Sequence, residues 1–229
     1  MKKSIIFGMM AALLTLGVTS CGDDEKTDSQ ITYYVDLALV GDDVVSTPLG
    51  SNYVDQGFTA TINGEDVSDR VKMTSNVNTS VLGPYSVTYS ATNDDGYSSS
   101  VTRTVYVGNY IAATLATGSK RTNSSSGAVV NYSDLTIPVV TDGNGNYWVE
   151  DLMGGYYEKR QGYGSDYSMP GFLRVNADNS VEITGGGNVA GWGDSYNAFE
   201  NGVYDPAAKT ITYDLTYAGS LVFHVILQL

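Results

Sequence analysis

The chain has 229 residues, of which 25 are acidic and 12 are basic, and its formal net charge is −13 at pH 7. A surface of this sign repels phosphate groups, which excludes nucleic acid as a partner. The sequence contains one Cys, so a disulfide bond within the chain is also excluded.

The N-terminus has the three parts of a bacterial export signal. Two lysines follow Met1, an apolar run comes next, and small residues precede Cys21. The apolar run is too short, and too often interrupted by Gly and Thr, to remain as a membrane-spanning helix. We therefore predict a signal peptide over residues 1–20. An acidic tether, "CGDDEKTDSQ", follows over residues 21–30.

The last residues of the signal together with the Cys read "VTSC" and resemble the bacterial lipobox. This resemblance implies cleavage before Cys21 and acylation of its sulfur, so that the membrane is reached through a lipid anchor only. Ordinary cleavage near Ser20, beside an incidental Cys, is the alternative. The acidic tether resembles the surface-export signal of Bacteroidetes lipoproteins, which implies an outer-membrane protein that faces the cell exterior. A solvated linker is the alternative for this segment.

Residues 31–110 contain short β-branched or aromatic runs between turn signals, without a sustained helical periodicity. Asn63-Gly64 and Asp95-Gly96 each separate two such runs, which predicts two β-hairpins. Alternate residues of the second hairpin are predicted to share one face of a strand: Tyr85, Val87 and Tyr89.

The stretch "GPYSVTYSATNDDG" follows the pattern G-x-Y-x-V-x-Y-x-A-x-D-x-x-G almost completely. That pattern ends the immunoglobulin-like repeats of bacterial surface proteins, which residues 31–108 resemble. The resemblance implies a seven-stranded sandwich that serves as a spacer or scaffold and carries no chemistry. Asn93 stands where the pattern has Asp, and Pro84 precedes the key Tyr85.

Residues 111–229 are again β-like, and they are rich in Gly and Tyr. A turn at Asp205-Pro206 leads into a strand that places Ile211, Tyr213 and Leu215 on one face. The sequence therefore predicts an all-β protein, with an immunoglobulin-like β-sandwich over residues 31–110 and a small antiparallel β-barrel or β-sandwich over residues 111–229. This order resembles a family of two-domain Bacteroides surface lipoproteins of unknown function.

The sequence lacks the residue patterns of catalytic and metal sites. His224 is the only histidine, so neither a Ser-His-Asp relay nor a histidine metal site is predicted. The stretch that begins at Asp142 is similar to the start of a calcium loop, but Tyr147 and Met153 replace the required Gly and Glu. "GGGNVAGWG" lacks the Lys-Ser/Thr pair of a phosphate loop. We predict no cofactor and no bound metal.

Six carboxylates lie in or near the aromatic segments: Glu150, Asp151, Glu158, Asp166, Asp194 and Glu200. A pair of carboxylates can hydrolyse glycosides when a cleft holds both beside the substrate. Spacing along the chain does not give their separation in space, and acidic residues are numerous. We therefore predict that the protein is not an enzyme.

Two segments combine aromatic residues with glycines and polar side chains. "YWVEDLMGGYYEKRQGYGSDYSMPG" begins at Tyr147, and "GWGDSYNAF" begins at Gly191. Sugar-binding sites pair exposed aromatic faces with polar groups, but the same rings can fill the core of a small barrel. Apolar alternation fails after Tyr157, which favours a long loop. The candidate ligand-binding residues are Trp148, Tyr156, Tyr157, Arg160, Tyr163, Asp166, Tyr167, Trp192, Asp194 and Tyr196.

Two hypotheses for the function remain. The first is non-catalytic capture of a glycan, or another small ligand, by an outer-membrane protein of a polysaccharide-uptake system. The second is a structural or accessory lipoprotein that binds a neighbouring surface protein. Exposed rings on a concave surface would favour the first hypothesis, and rings buried in the barrel would favour the second. The sequence does not determine the oligomeric state.

Overall fold

The computed structural model describes residues 31–116, 120–123 and 126–229. The predicted signal peptide, Cys21 and the acidic tether lie outside these residues. The chain from Tyr33 to Leu229 forms one compact unit. No helix in the described part of the chain is long and apolar enough to cross a membrane.

The N-terminal domain contains seven strands among the described residues: β1 (Asp36–Leu39), β2 (Val44–Thr47), β3 (Phe58–Ile62), β4 (Glu65–Asp66), β5 (Lys72–Ser75), β6 (Gly83–Thr92) and β7 (Ser98–Val107). They make two sheets, in the orders β1-β3-β4 and β2-β7-β6-β5. Leu37 and Ala60 of the first sheet share one core with Val87, Tyr89 and Val105 of the second. The predicted immunoglobulin-like sandwich is confirmed.

Both predicted hairpins form, but their turns differ. Asn63 and Gly64 join β3 to β4 as a two-residue turn, in which their φ angles are 50° and 84°. The hairpin of β6 and β7 has a longer turn over residues 93–97. Within that turn Gly96 has a φ of 87°. A three-residue 3₁₀ turn, Ser68–Arg70, precedes β5.

Asn93 closes the longer turn with a side chain that both accepts and donates. Its Oδ1 accepts a hydrogen bond from the N–H of Tyr97 at 2.7 Å, and its Nδ2 donates to the carbonyl of Tyr33 at 2.9 Å. An Asp at this position could accept the first bond but could not donate the second. The departure from the repeat pattern therefore ties the start of the domain to the hairpin.

A buried ion pair joins β7 to the segment before β3. Arg103 is fully buried, and it donates to the carboxylate of Asp55 and to the carbonyl of Asp42. The hydroxyls of Tyr53 and Tyr89 also donate to Asp55, each at 2.6 Å. Burial alone would raise the pKa of Asp55, but the hydrogen bonds from Arg103 and the two tyrosines hold it well below its usual range.

The C-terminal domain contains the other strands of the described chain: β8 (Asn109–Leu115), β9 (Lys120–Asn123), β10 (Val129–Asn131), β11 (Thr136–Thr141), β12 (Asn146–Val149), β13 (Gly171–Val175), β14 (Val181–Gly186), β15 (Asn188–Val189), β16 (Asp194–Asp205), β17 (Thr210–Tyr217) and β18 (Leu221–Gln228). The strand order is β14-β13-β12-β11-β8-β18-β17-β16-β15, and β9 pairs with β10 and β18. A bridge between Ser180 and Val203 brings the two ends together. The sheet is thus nearly a closed barrel.

Alternation along β17 and β18 fills the barrel interior. Ile211, Tyr213 and Leu215 are fully buried, as their spacing predicts. On β18 the buried face comprises Leu221, Phe223, Val225 and Leu227. The loop predicted after Tyr157 lies between β12 and β13. It contains two short helical turns, a π turn over Tyr156–Arg160 and a 3₁₀ turn over Ser165–Tyr167.

Trp148 lies at the junction of the two domains. It packs with Val140 and Phe172 of the barrel against Leu82 and Tyr106 of the sandwich, and only 8% of its surface is exposed. The neighbouring residue on β12 fills the barrel interior, so Trp148 points to the outer face, which the sandwich covers. The structure therefore removes Trp148 from the candidate ligand-binding residues.

Gly108 is the single residue between β7 and β8. Its φ is 120°, and a Cβ there would lie 2.6 Å from Cγ1 of Val140 and 2.7 Å from Cδ2 of Leu82. Both contacts are shorter than real Cβ atoms show, so only Gly allows the two domains to approach this closely. The domain connection is therefore short and tightly packed.

We expect Trp148→Ala to lower the free energy of unfolding by roughly 3–5 kcal/mol, because the change leaves a cavity at the junction. Trp192→Ala is the matched control: Trp192 is 42% exposed, and the loss of its ring contacts should cost about 1–2 kcal/mol. Urea unfolding of residues 22–229, followed by circular dichroism, measures both values. Equal losses for the two variants would contradict the buried position of Trp148.

Candidate ligand-binding site

One buried carboxylate closes the loop between β12 and β13. Asp151 is fully buried, and its Oδ1 accepts hydrogen bonds from the N–H groups of Met153 at 2.8 Å and Met169 at 3.2 Å. Its Oδ2 accepts a bond from the N–H of Gly155 at 3.0 Å. Met153 and Gly155 begin the loop and Met169 ends it, so this side chain ties the two ends together.

The protonation of Asp151 reflects its burial. Burial raises the pKa of the carboxyl to about 7, although its bonds with the three N–H groups lower it. Gly154 and Gly155 have φ angles of 64° and 78°, which turn the chain back so that the Gly155 N–H reaches the carboxylate. A carboxylate beside two glycines is thus the local reason for the loop's shape.

Tyr156, the first ring of this loop, points into the barrel. It is 3% exposed and makes edge contacts with Tyr132 and Phe223, at centroid separations of 5.1 Å and 5.6 Å. The guanidinium groups of Arg121 and Arg160 lie 5.1 Å and 5.4 Å from its centroid. Tyr156 is therefore a core residue, and the structure removes it from the predicted ligand-binding residues.

Three rings further along the chain form an open corner at the surface, which we call the aromatic corner: Tyr163, Tyr167 and Trp192. The ring planes of Tyr163 and Tyr167 meet at 77°, those of Tyr163 and Trp192 at 83°, and those of Tyr167 and Trp192 at 65°. The three rings line an open surface cavity of about 320 Å³. Tyr163 is 54% exposed and Trp192 is 42% exposed, so a ligand could reach both rings.

Gly191 positions the ring of Tyr167. A Cβ at this glycine would lie 2.7 Å from Cε1 of Tyr167, so the ring rests directly on the backbone. The N–H of Gly191 also donates to the carbonyl of Asp166 at 2.7 Å. This bond joins the loop after β15 to the loop after β12. Gly187 accommodates Tyr196 in the same way, with a Cβ to Cδ1 distance of 2.5 Å.

Tyr157 and Tyr217 support Trp192 from the barrel side. The ring of Tyr157 meets Trp192 edge to face at 4.8 Å, and the centroid of Tyr217 is 6.1 Å from that of Trp192. The hydroxyl of Tyr217 donates to Oδ1 of Asp194 at 2.7 Å. Burial and this bond raise the pKa of Tyr217 well above its usual value, which keeps the phenol protonated.

The structure brings together half of the predicted ligand-binding residues: Tyr157, Tyr163, Tyr167, Trp192 and Asp194. Arg160 and Asp166 are exposed on the same loop, and Tyr196 is half-buried against Gly187. Tyr217, which also contacts Trp192, was not among the predicted residues. The alternation of β17 continues beyond Leu215 and would have placed this ring on the inner face at the strand end.

The acidic residues near the site are engaged elsewhere or stand apart from the cavity. Glu150 pairs with Lys159, whose Nζ is also 3.7 Å from Glu158. Burial, followed by the nearby charge of Glu150, raises the pKa of Glu158. Aromatic side chains line the corner, and no carboxylate of the described residues joins them there.

The remaining polar groups that the sequence singled out have structural partners. Nδ1 of His224 lies 2.7 Å from Oδ1 of Asp214 on the neighbouring strand. The carboxylate of Asp142 accepts bonds from the N–H of Asn144 at 2.7 Å and from Nδ2 of Asn146 at 2.6 Å. These bonds close a tight turn. Over the described ranges, no group of three or more His, Cys, Asp or Glu could hold a metal ion.

Comparison with known proteins identifies both halves of the chain. A family model for the immunoglobulin-like domain of bacterial surface proteins matches residues 37–107, and a family model for a C-terminal domain matches residues 98–229. The N-terminal domain is therefore an immunoglobulin-like domain of the kind found in bacterial surface proteins. None of the curated proteins matches it significantly.

The crystal structure of the lipoprotein BT2262 from Bacteroides thetaiotaomicron is similar over most of the chain. The sequence identity is 35% and the TM-score is 0.67, with 86% of this chain and 100% of that chain covered. The protein belongs to the family of this lipoprotein and is a two-domain surface lipoprotein of the Bacteroides type.

Two structures from Clostridium perfringens ZmpB are far less similar. CBM51-2 in complex with GlcNAc, solved with the INT domains, shares 15% identity at a TM-score of 0.26, with 85% of this chain and 44% of that chain covered. The M60 catalytic domain with CBM51-1 and CBM51-2 shares 14% identity at a TM-score of 0.28, with coverages of 85% and 21%. Scores this low support no argument about fold or function.

We expect Asp151→Asn to lower the free energy of unfolding by about 1–3 kcal/mol, because the amide places an N–H donor where the carboxylate accepts. The folded carboxyl has a pKa of about 7, against an ordinary value of 3.8, so between these values the folded state holds a proton that the unfolded state has lost. Stability due to this group therefore falls as pH rises through that window.

Urea unfolding of both proteins across the same window measures this effect. The advantage of the parent over the Asn variant should shrink as the pH rises, because the variant cannot titrate at this position. A constant difference would contradict the raised pKa of Asp151.

We expect Gly191→Ala to displace the ring of Tyr167 and to expose Trp192 further, with little loss of stability. Acrylamide quenching of tryptophan fluorescence measures the exposure, since Trp148 is buried and contributes little to the change. Gly185→Ala is the control, because its Cβ would make an ordinary contact, 3.5 Å from Phe172. Identical quenching in the two variants would show that Gly191 does not position the corner.

Proposed function

We propose that the protein is an outer-membrane lipoprotein that captures a glycan, or another small ligand, without changing it chemically. The aromatic corner carries this proposal, because it exposes large rings around a cavity at the surface of the barrel. A sugar ring has apolar C–H faces that stack on aromatic rings and a rim of hydroxyls that needs polar partners. Arg160, Gln161 and Asp166 are exposed on the same loop and could supply those partners.

The corner is held in shape before any ligand arrives. Asp151 fixes both ends of the loop that carries Tyr163 and Tyr167, and the bond from Gly191 to Asp166 joins the second loop to the first. Fixed rings lose little conformational entropy on binding, which favours affinity for a small ligand. In a small barrel, tyrosine rings ordinarily lie in the core, whereas these rings line a cavity at the surface.

The predicted N-terminal segment supplies the location in this proposal. Acylation of Cys21 would anchor the chain, and the acidic tether over residues 21–30 would direct it to the cell exterior. The sandwich would then hold the barrel away from the membrane. A glycan-binding barrel in that position would serve a polysaccharide-uptake system.

An accessory role beside another surface protein is the second candidate, and a different surface favours it. A cavity of about 260 Å³ lies between the sandwich and the barrel, with Leu49, Val81 and Phe172 in its lining. Leu49 is 40% exposed and Val81 is 42% exposed. Apolar side chains that stay exposed in a groove are typical of contact surfaces between proteins.

Titration calorimetry of residues 22–229 against plant, host and microbial oligosaccharides tests the first candidate. We expect at least one glycan to bind. The variants Tyr163→Ala and Trp192→Ala should each weaken this binding by about tenfold or more, because each removes a stacking face. Tyr97→Ala is the matched control, since Tyr97 is equally exposed, at 51%, in the sandwich. If the folded protein binds no oligosaccharide of the panel, the result favours the accessory role.

A further inference from the structure

The shape of the aromatic corner restricts the group that fits into it. The three ring planes are inclined to one another by 65° to 83°, with centroids 4.8 to 6.2 Å apart. A flat sugar ring can lie against only one of three such walls. A compact group of roughly spherical shape can contact the exposed parts of all three rings at once, and grouped aromatic rings bind ammonium groups in other proteins.

The charges of the side chains around the corner also favour a cationic ligand. The cation–π contacts of the described residues come from Arg121 and Arg160 and are directed at Tyr156 and Tyr157. No cation in the described part of the chain lies over Tyr163, Tyr167 or Trp192. The exposed parts of these rings therefore present negative potential that no cationic side chain of the described residues offsets.

Two exposed carboxylates are close to these rings in the sequence, although neither lines the cavity. Asp194 follows Trp192 by two residues, is exposed, and is fixed by the hydroxyl of Tyr217. Asp166 precedes Tyr167 directly and is also exposed. The whole chain carries a formal charge of −13, so its field attracts cations and repels acidic sugars.

We propose that the aromatic corner binds the protonated amino group of an amino sugar, so that the captured glycan carries free amino groups. This inference rests on the proposed function and narrows its ligand class. The ammonium group would enter the angle between Tyr163, Tyr167 and Trp192, and the exposed carboxylate of Asp194, outside the cavity lining, would supply a counter-charge. The sugar ring that bears it would remain at the mouth of the corner, near the exposed polar residues of the loop.

Matched oligosaccharides separate this inference from the proposed function. Chitosan oligosaccharides carry free amino groups, whereas chitin oligosaccharides of the same length are N-acetylated and neutral. Calorimetric titration of residues 22–229 is performed with both at mildly acidic pH, where the free amines are protonated. We expect the free-amine ligand to bind at least about tenfold more tightly.

Two variants distinguish the corner from general attraction to an acidic protein. Trp192→Leu keeps the net charge and an apolar side chain but removes the ring, and it should weaken chitosan binding by about tenfold. Asp194→Asn keeps an acceptor for Tyr217, and it should weaken chitosan binding by about three- to fivefold, a larger effect than on chitin binding. Tyr163→Leu repeats the first test if Trp192→Leu lowers the unfolding midpoint.

Each outcome decides the question. The inference is supported if the parent protein prefers the free-amine ligand and if Trp192→Leu or Tyr163→Leu abolishes this preference. Equal or tighter binding of the acetylated ligand overturns the inference and leaves glycan capture intact. Free-amine binding that both ring variants retain also overturns it, since the attraction would then lie elsewhere. Absence of binding to every oligosaccharide overturns both the inference and the proposed function.

Discussion

The candidate site depends on the buried carboxylate of Asp151. A loop of this length would cost considerable conformational entropy to order, and its buried apolar residues lie towards its two ends: Leu152, Met153, Tyr156 and Met169. Three backbone N–H groups converge on one side chain, so the beginning and the end of the loop are fixed by the same group. The group is fully buried, and this burial raises the pKa of its carboxyl.

The strands could be predicted from the sequence because their signals are local. Alternation along β17 assigned Ile211 and Tyr213 to the interior, and the Asn63-Gly64 dipeptide located a hairpin. The strand order of the barrel could not be derived this way. It brings β8 beside β11 and β18, and such pairings join segments far apart in the sequence.

The site was predictable only in part, since composition does not show which ring faces water. Trp148 and Trp192 stand in similar aromatic, glycine-rich surroundings in the sequence. The first is covered by the other domain and the second is open, a difference that arises from domain packing and leaves no local signal. Tyr156 and Tyr157 differ for a related reason, because a helical turn directs consecutive side chains to different sides.

The connection at Gly108 determines how the molecule bears force. A single residue joins β7 to β8, and Trp148 fills the angle beside it. A sideways force on the barrel would therefore stretch the backbone and compress the packed junction instead of turning the barrel about a hinge. The sandwich and the barrel would then move together. The attachment of the sandwich would therefore also set the direction in which the aromatic corner faces.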